Sequence, residues 1–128
     1  MSIMNFGGYT GLEMELLWEN ASPASSFAAQ TVQVSLSGYD FAFVYVADAG
    51  KVDNANGLVG FIIPVGKSGT VTAINYQINY RKVTVSTNGV TFSDSLQISQ
   101  LNWDGEAVND RCIPQYIYGI KEIGRAHV

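Results

Sequence analysis

The chain has 128 residues, a formal net charge of −4, 47% apolar side chains and only 14% charged ones. That length suits one domain with a real core, and the low charge excludes a disordered chain. The acidic balance, with its few Lys and Arg scattered, excludes the basic footprint of a nucleic-acid or anionic-membrane binder. One cysteine, Cys112, cannot close an internal disulfide, and it reads as a small buried apolar residue of a strand. No apolar run is long enough to span a membrane, and the opening residues lack the basic-then-apolar pattern of a secretory leader.

Residues 1–11, with Gly7, Gly8 and Gly11, read as an entry segment to a single β domain over residues 12–121. Leu12, Met14, Leu16 and Trp18 then recur at a spacing of two, which predicts a half-buried strand. Pro23 and its serines make residues 20–30 a loop, pinned to the core by Phe27. Val32, Val34 and Leu36 predict a second strand, ended by a turn at Ser37-Gly38. Residues 41–46 are apolar on both faces, which predicts a strand covered on each side.

Residues 48–57 read as a polar loop, and residues 58–65 as a strand that Pro64 places at an edge or an end. Residues 71–80 alternate without a break and read as one long strand, followed by residues 81–86 with Val83 and Val85 inward. Asn88-Gly89 between Lys82 and Phe92 predicts a hairpin. Leu96, Ile98 and Leu101 continue the pattern, residues 103–111 read as a polar loop, and residues 112–120 as the closing strand. No segment keeps a helical period. The expected fold is all-β, an antiparallel β-sandwich or jelly-roll-like barrel of about seven to nine short strands.

Glu122 to Val128 has a different character. Its codons back-translate to the start of a common short-read sequencing adapter, AGATCGGAAGAGC, in frame. We therefore expect residues 122–128 to be adapter read-through, with the native frame leaving at about Lys121; a natural template that still encodes Ile123 to Val128 would contradict this. His127, the only histidine, then carries no function.

No catalytic constellation stands out, and no cofactor or metal is expected. Gly66-Lys67-Ser68 resembles the end of a phosphate loop, but Phe61 to Val65 before it builds a strand, not a glycine cradle, and the segment reads as a hairpin turn. Glu13 and Glu15 share a strand face as solvating groups, and the acidic loops lack calcium-loop spacing. Asn20-Ala21-Ser22 matches a glycosylation triplet that has no use without a leader. The one candidate recognition surface is Asn102, Trp103 and Asp104 with Asn109 and Asp110. There an indole could stack on a sugar face while its polar neighbours take hydroxyls. The competing reading, favoured here, makes Trp103 a loop plug or a subunit contact.

Three stretches carry a resemblance: Leu16-Leu17-Trp18-Glu19-Asn20 with Ser26-Phe27-Ala28-Ala29-Gln30-Thr31 and Leu36-Ser37-Gly38-Tyr39-Asp40; Tyr80-Arg81-Lys82-Val83-Thr84-Val85 with Gly89-Val90-Thr91-Phe92; and Ile113-Pro114 with Ile117-Tyr118-Gly119-Ile120-Lys121. Together they resemble small tail or fibre structural proteins of phages and prophages of gut bacteria. The resemblance implies a non-enzymatic virion component, made in the bacterial cytoplasm and assembled as a homo-oligomer, a trimer by preference. Its expected partners are other virion proteins and a host-surface glycan. A carbohydrate-binding module with a loop site around Trp103, free or part of a fibre tip, is the alternative.

Overall fold

Side chains that alternate between apolar and polar build strands along the whole chain. The computed structural model describes residues 2–4, 9–47, 58–74, 78–99 and 102–125, and among these there is no helix. Eleven strands form: β1 (Ser2–Met4), β2 (Tyr9–Glu19), β3 (Gln30–Gln33), β4 (Phe41–Ala47), β5 (Leu58–Pro64), β6 (Ser68–Ile74), β7 (Ile78–Ser86), β8 (Gly89–Phe92), β9 (Leu96–Ser99), β10 (Asn102–Ala107) and β11 (Pro114–Arg125). They make two antiparallel sheets packed as a β-sandwich. The first has the order β1-β2-β11-β4-β5. The second runs β10-β9-β7-β8-β3, with β6 along the opposite edge of β7.

The core lies between them. The first sheet contributes Ala42, Val44, Val46, Ile63 and Ile117, and the second contributes Val32, Val71, Val83, Val85, Val90 and Phe92. Phe27 closes the stack edge-on between Trp18 and Phe92, at centroid distances of 6.2 and 5.5 Å. It is buried, so the loop of residues 20–29 is pinned as its sequence implies. Each such aromatic or aliphatic side chain stabilises the fold by roughly 1.5–3 kcal/mol through burial.

The strand count exceeds the expected seven to nine because two elements sit where the sequence reads as irregular. β1 pairs with β2 inside the entry segment, and β2 begins at Tyr9 rather than Leu12. β10 occupies the start of what reads as a polar loop. The ten-residue alternation over 71–80 is also broken: Ile74 pairs with Ile78, so β6 and β7 form a hairpin. The polar–apolar rhythm runs through the reversal, which hides it. The hairpin signalled by Asn88-Gly89 is present, but Ser86 pairs with Gly89, leaving Thr87 and Asn88 as its loop. Gly89 is needed for a close approach: a Cβ there would lie 2.8 Å from the Val32 carbonyl oxygen on β3.

Gly66, at φ +89°, and Lys67 form the turn that carries the chain from β5 in the first sheet to β6 in the second. The Gly66 N–H donates to the Val85 carbonyl and the Val85 N–H to that of Lys67, so the segment is a corner between sheets and not the expected hairpin turn, because β5 and β6 do not pair. β11 continues past Lys121: Glu122 pairs with Leu12 and Arg125 with Tyr9, through two register irregularities. That ladder concerns the polypeptide, whereas the origin of its codons is decided at the gene. The expected loop at 48–57 lies outside the described residues.

One end of the sandwich interior is polar. Along β7 the inward positions run Val85, Val83, Arg81, Asn79, all buried. The Arg81 guanidinium donates to four main-chain carbonyls: Nε to Cys112 at 2.9 Å, Nη1 to Ser93 at 2.8 Å, and Nη2 to Arg111 at 3.1 Å and Asn109 at 3.4 Å. Its carbon also sits 5.4 Å from the Phe27 ring centroid, in cation–π range. Burial pushes its pKa down to about 10, which leaves it charged at neutral pH. Cys112 has φ +48°, a left-handed backbone that a non-glycine residue adopts only when its surroundings demand it. Its carbonyl meets Arg81 Nε while its thiol donates to the Asn79 carbonyl at 3.3 Å, so both halves of the residue are held.

A second polar contact crosses the middle of the first sheet, over the paired residues Gly119 of β11 and Glu15 of β2. Tyr39 lies across Gly119, where a Cβ would come within 2.7 Å of its ring, and its hydroxyl donates to Glu15. Glu15 is therefore a hydrogen-bond acceptor rather than a purely solvating group. That bond, ahead of burial, raises the Tyr39 pKa from 10.0 to about 12.

Two predictions follow from these contacts. Arg81→Met leaves buried carbonyls unpaired, and should cost about 3 kcal/mol or more in denaturant unfolding. Arg81→Lys, with one donor nitrogen, should recover only part of that loss. The second concerns pH. The folded Tyr39 phenol holds its proton more tightly than the unfolded one, so its contribution is complete below pH 10 and is lost as pH rises from 10 towards 12. Wild type should lose stability across that window relative to Tyr39→Phe, as measured by melting temperature at stepped pH.

Candidate functional site

Two surfaces can be compared: the one the sequence singles out, and one that only the sheet register reveals. Asn102, Trp103 and Asp104 lie on β10, the edge strand of the second sheet, and not in a loop. A register shift between Asn102 and Glu106 interrupts the pairing with β9, and Gly105 within it has φ +87°. The glycine's conformational freedom lets a polar, loop-like sequence bulge and still pair. The side chains of Asn102, Trp103 and Asp104, and residue Leu101, lie outside the described part of the structure.

Asn109 and Asp110 follow in the loop before β11. The Asn109 side chain works inward at both ends. Its Oδ1 accepts from the Ser95 N–H at 2.9 Å, and its Nδ2 donates to Asp94 Oδ1 at 3.0 Å. Its carbonyl accepts the Phe27 N–H at 2.9 Å. Asp94 also accepts the Ala29 N–H at 3.0 Å. That bond first, and the Asn109 amide second, hold its carboxyl below the usual range. Asn109 is thus a joint between three loops, with its amide already spent. Asp110 pairs with Arg111 at 3.1 Å.

Cys112 is fully buried, as its sequence reading implies, although it sits in the bend before β11 rather than in the strand. Burial pushes its thiol pKa up, so it is a poor nucleophile. Beside it, Asn79 Oδ1 and Ser95 Oγ are buried without a hydrogen-bond partner. Among the described residues no group of three His, Cys, Asp or Glu side chains is placed to hold a metal ion. An open depression of about 440 Å³ lies at the β3 end beside Gln33, Val34, Ser35 and Asn88; it is shallow and brings no reactive groups together.

The second surface is the outward face of the first sheet. Ala42, Val44 and Val46 of β4 point into the core, so Phe41, Phe43 and Tyr45 point away from it. Register extends this parity across the sheet. Tyr118, Phe43 and Ile62 lie side by side, with Leu16 beyond Tyr118. The row above them is Met14, Ile120, Phe41 and Pro64, of which Ile120 is buried, and the row below is Glu19, Tyr116, Tyr45 and Gly60. Glu19 is the one charged residue in these three rows. The expected cover on both faces of β4 is therefore met only on its core side. On the other side Phe43 and Tyr45 stay half-buried, and Leu16 and Ile62 are exposed.

The rings on this face are ordered. Phe43 and Tyr45 stack at 4.7 Å with their planes 18° apart. Both lean over Gly60, where a Cβ would lie 2.3 Å from the Phe43 ring and 3.0 Å from that of Tyr45. Tyr118 and Tyr116 meet Tyr45 edge-on at 5.9 and 6.4 Å. A glycine on the neighbouring strand thus makes the space in which the stack lies. The sequence signal for the set was present in the doubly apolar run Phe41 to Ala47 and in Tyr116-Ile117-Tyr118, whose central Ile117 is core. No protein-family model and no curated protein matches the chain.

Proposed function

We propose that this protein is a non-enzymatic structural component of a phage virion, in the tail or fibre, which works as a homo-oligomer. The carrying observation is the amount of apolar surface left outside a well-filled core. Leu16, Leu58 and Ile62 are exposed on the first sheet, and Ile74 and Ile78 at the β6–β7 turn of the second. In a chain with so few charges, such surface is the kind that neighbouring subunits cover. The resemblance to tail and fibre proteins points the same way. Several residues that carry it have packing roles: Trp18 and Phe27 in the aromatic stack, Gly119 under Tyr39, and Arg81 at the polar end. Such residues make a scaffold. Host-surface recognition, where the protein performs it, belongs to the surface around β10 and the loop after it.

The test is multi-angle light scattering on the purified full chain across a range of concentrations. A stable homo-oligomer is expected, with three copies as the favoured number. A protein that stays strictly monomeric at high concentration overturns the reading.

A further inference from the structure

We propose that the polar end of the sandwich interior binds one internal water molecule, hydrogen-bonded to both Asn79 Oδ1 and Ser95 Oγ as a fixed part of the fold. The site lies inside a single chain, so it is independent of the homo-oligomer reading above. Three observations locate it and select its occupant.

The first is unmet demand. Asn79 is 2% exposed and Ser95 0%. Asn79 Oδ1 and Ser95 Oγ are buried with no hydrogen-bond partner among the described residues. The main chain of Ser95 is satisfied: its N–H donates to Asn109 Oδ1 at 2.9 Å, and its carbonyl accepts the Val108 N–H at 2.8 Å. The donors nearby are committed elsewhere. The Cys112 thiol gives its one hydrogen to the Asn79 carbonyl at 3.3 Å, and the Arg81 bonds run to main-chain carbonyls. Two buried polar atoms left unpaired cost more than immobilising one water that pairs them both.

The second is position. Asn79 pairs with Gln97 and Tyr80 with Leu96, so Ser95, one residue before Leu96, falls beside Arg81. Ser95 is thus one inward step along from Asn79 on the neighbouring segment. Such diagonal neighbours have backbones about 7–8 Å apart, with side chains that lean closer. A water bonded to two oxygens spans roughly 5–6 Å, which suits that separation. Cys112 touches both residues, since its thiol bonds to Asn79 and lies beside the Ser95 hydroxyl.

The third is the chemistry the site asks for. An amide oxygen only accepts, so the occupant must donate, which excludes a halide. The Arg81 guanidinium occupies the next inward position of β7 and stays charged at neutral pH, which repels sodium or ammonium. Burial of both side chains leaves no access for a polyol or a sugar. Water is neutral, small, and both donates and accepts.

The test joins a crystal structure of the wild-type full chain to oxygen-17 relaxation dispersion in solution, which counts long-lived waters and does not sense hydroxyl protons. The crystal should show one peak of density within hydrogen-bond distance of both oxygens. The double variant Asn79→Leu/Ser95→Val replaces the polar atoms by apolar ones, and its dispersion amplitude should fall below wild type by about one water. Circular dichroism verifies its fold. Where it does not fold, Ser95→Val alone, whose added methyl takes the water's position, should lose the same amount. The wild-type crystal decides the matter where neither variant folds. A direct hydrogen bond from Ser95 Oγ to Asn79 Oδ1, with no density bridging them, would overturn the proposal. Equal dispersion amplitudes in wild type and a folded variant would overturn it as well.

Discussion

One buried guanidinium organises the polar end of this sandwich. Arg81 projects inward from β7, the strand that pairs with β6, β8 and β9, and it spends its donors on the carbonyls of Ser93, Asn109, Arg111 and Cys112. Three of those carbonyls belong to the segment that leads into β11, the central strand of the first sheet. A charge in the interior is costly unless its hydrogen-bonding capacity is filled. Here main-chain dipoles fill it, with the Phe27 ring alongside. The pairing of the two sheets at this end therefore depends on a loop shape that offers several carbonyls to one point.

That demand explains otherwise isolated features. Cys112 is the only described non-glycine residue with a positive φ, and its carbonyl is one of those turned to Arg81. Asn109 ties the same loop to Asp94 and to the Ser95 and Phe27 amides. Phe27 in turn carries the aromatic contact to Trp18 on β2 and to Phe92 on β8. The residues that resembled a recognition loop thus include a set of struts, while the outward face of the first sheet keeps the apolar surface that the core does not use.

Much of the fold was legible in the order of residues. The Phe27 anchor, the strands β4 and β7 and the β7–β8 hairpin follow from periodicity and turn chemistry; in β2 a register shift turns Trp18 to the core and leaves Leu16 outward, against the single face that a spacing of two implies. What escaped had physical reasons. Ile74 and Ile78 sit either side of a reversal that preserves the rhythm of two, so periodicity alone joins β6 to β7. β10 is a strand made of loop-like residues, and a bulge at Gly105 is what allows it to pair. Arg81 looks like an outward residue by type, and only the carbonyls that converge on it from distant segments make its burial possible. The outward aromatic face was half visible: β4 reads as apolar on both sides, but the alignment of Tyr118, Phe43 and Ile62 is a property of register between strands far apart in sequence.

The most direct test of the central claim is hydrogen exchange at the Arg81 side chain, followed by nitrogen-resolved NMR. If the guanidinium holds the polar end together, the Arg81 Nε–H should exchange about as slowly as the Val83 and Val85 amides of β7, through global unfolding alone. Exchange as fast as that of the part-exposed Arg111 side chain would mean that the end opens on its own, and would contradict the account.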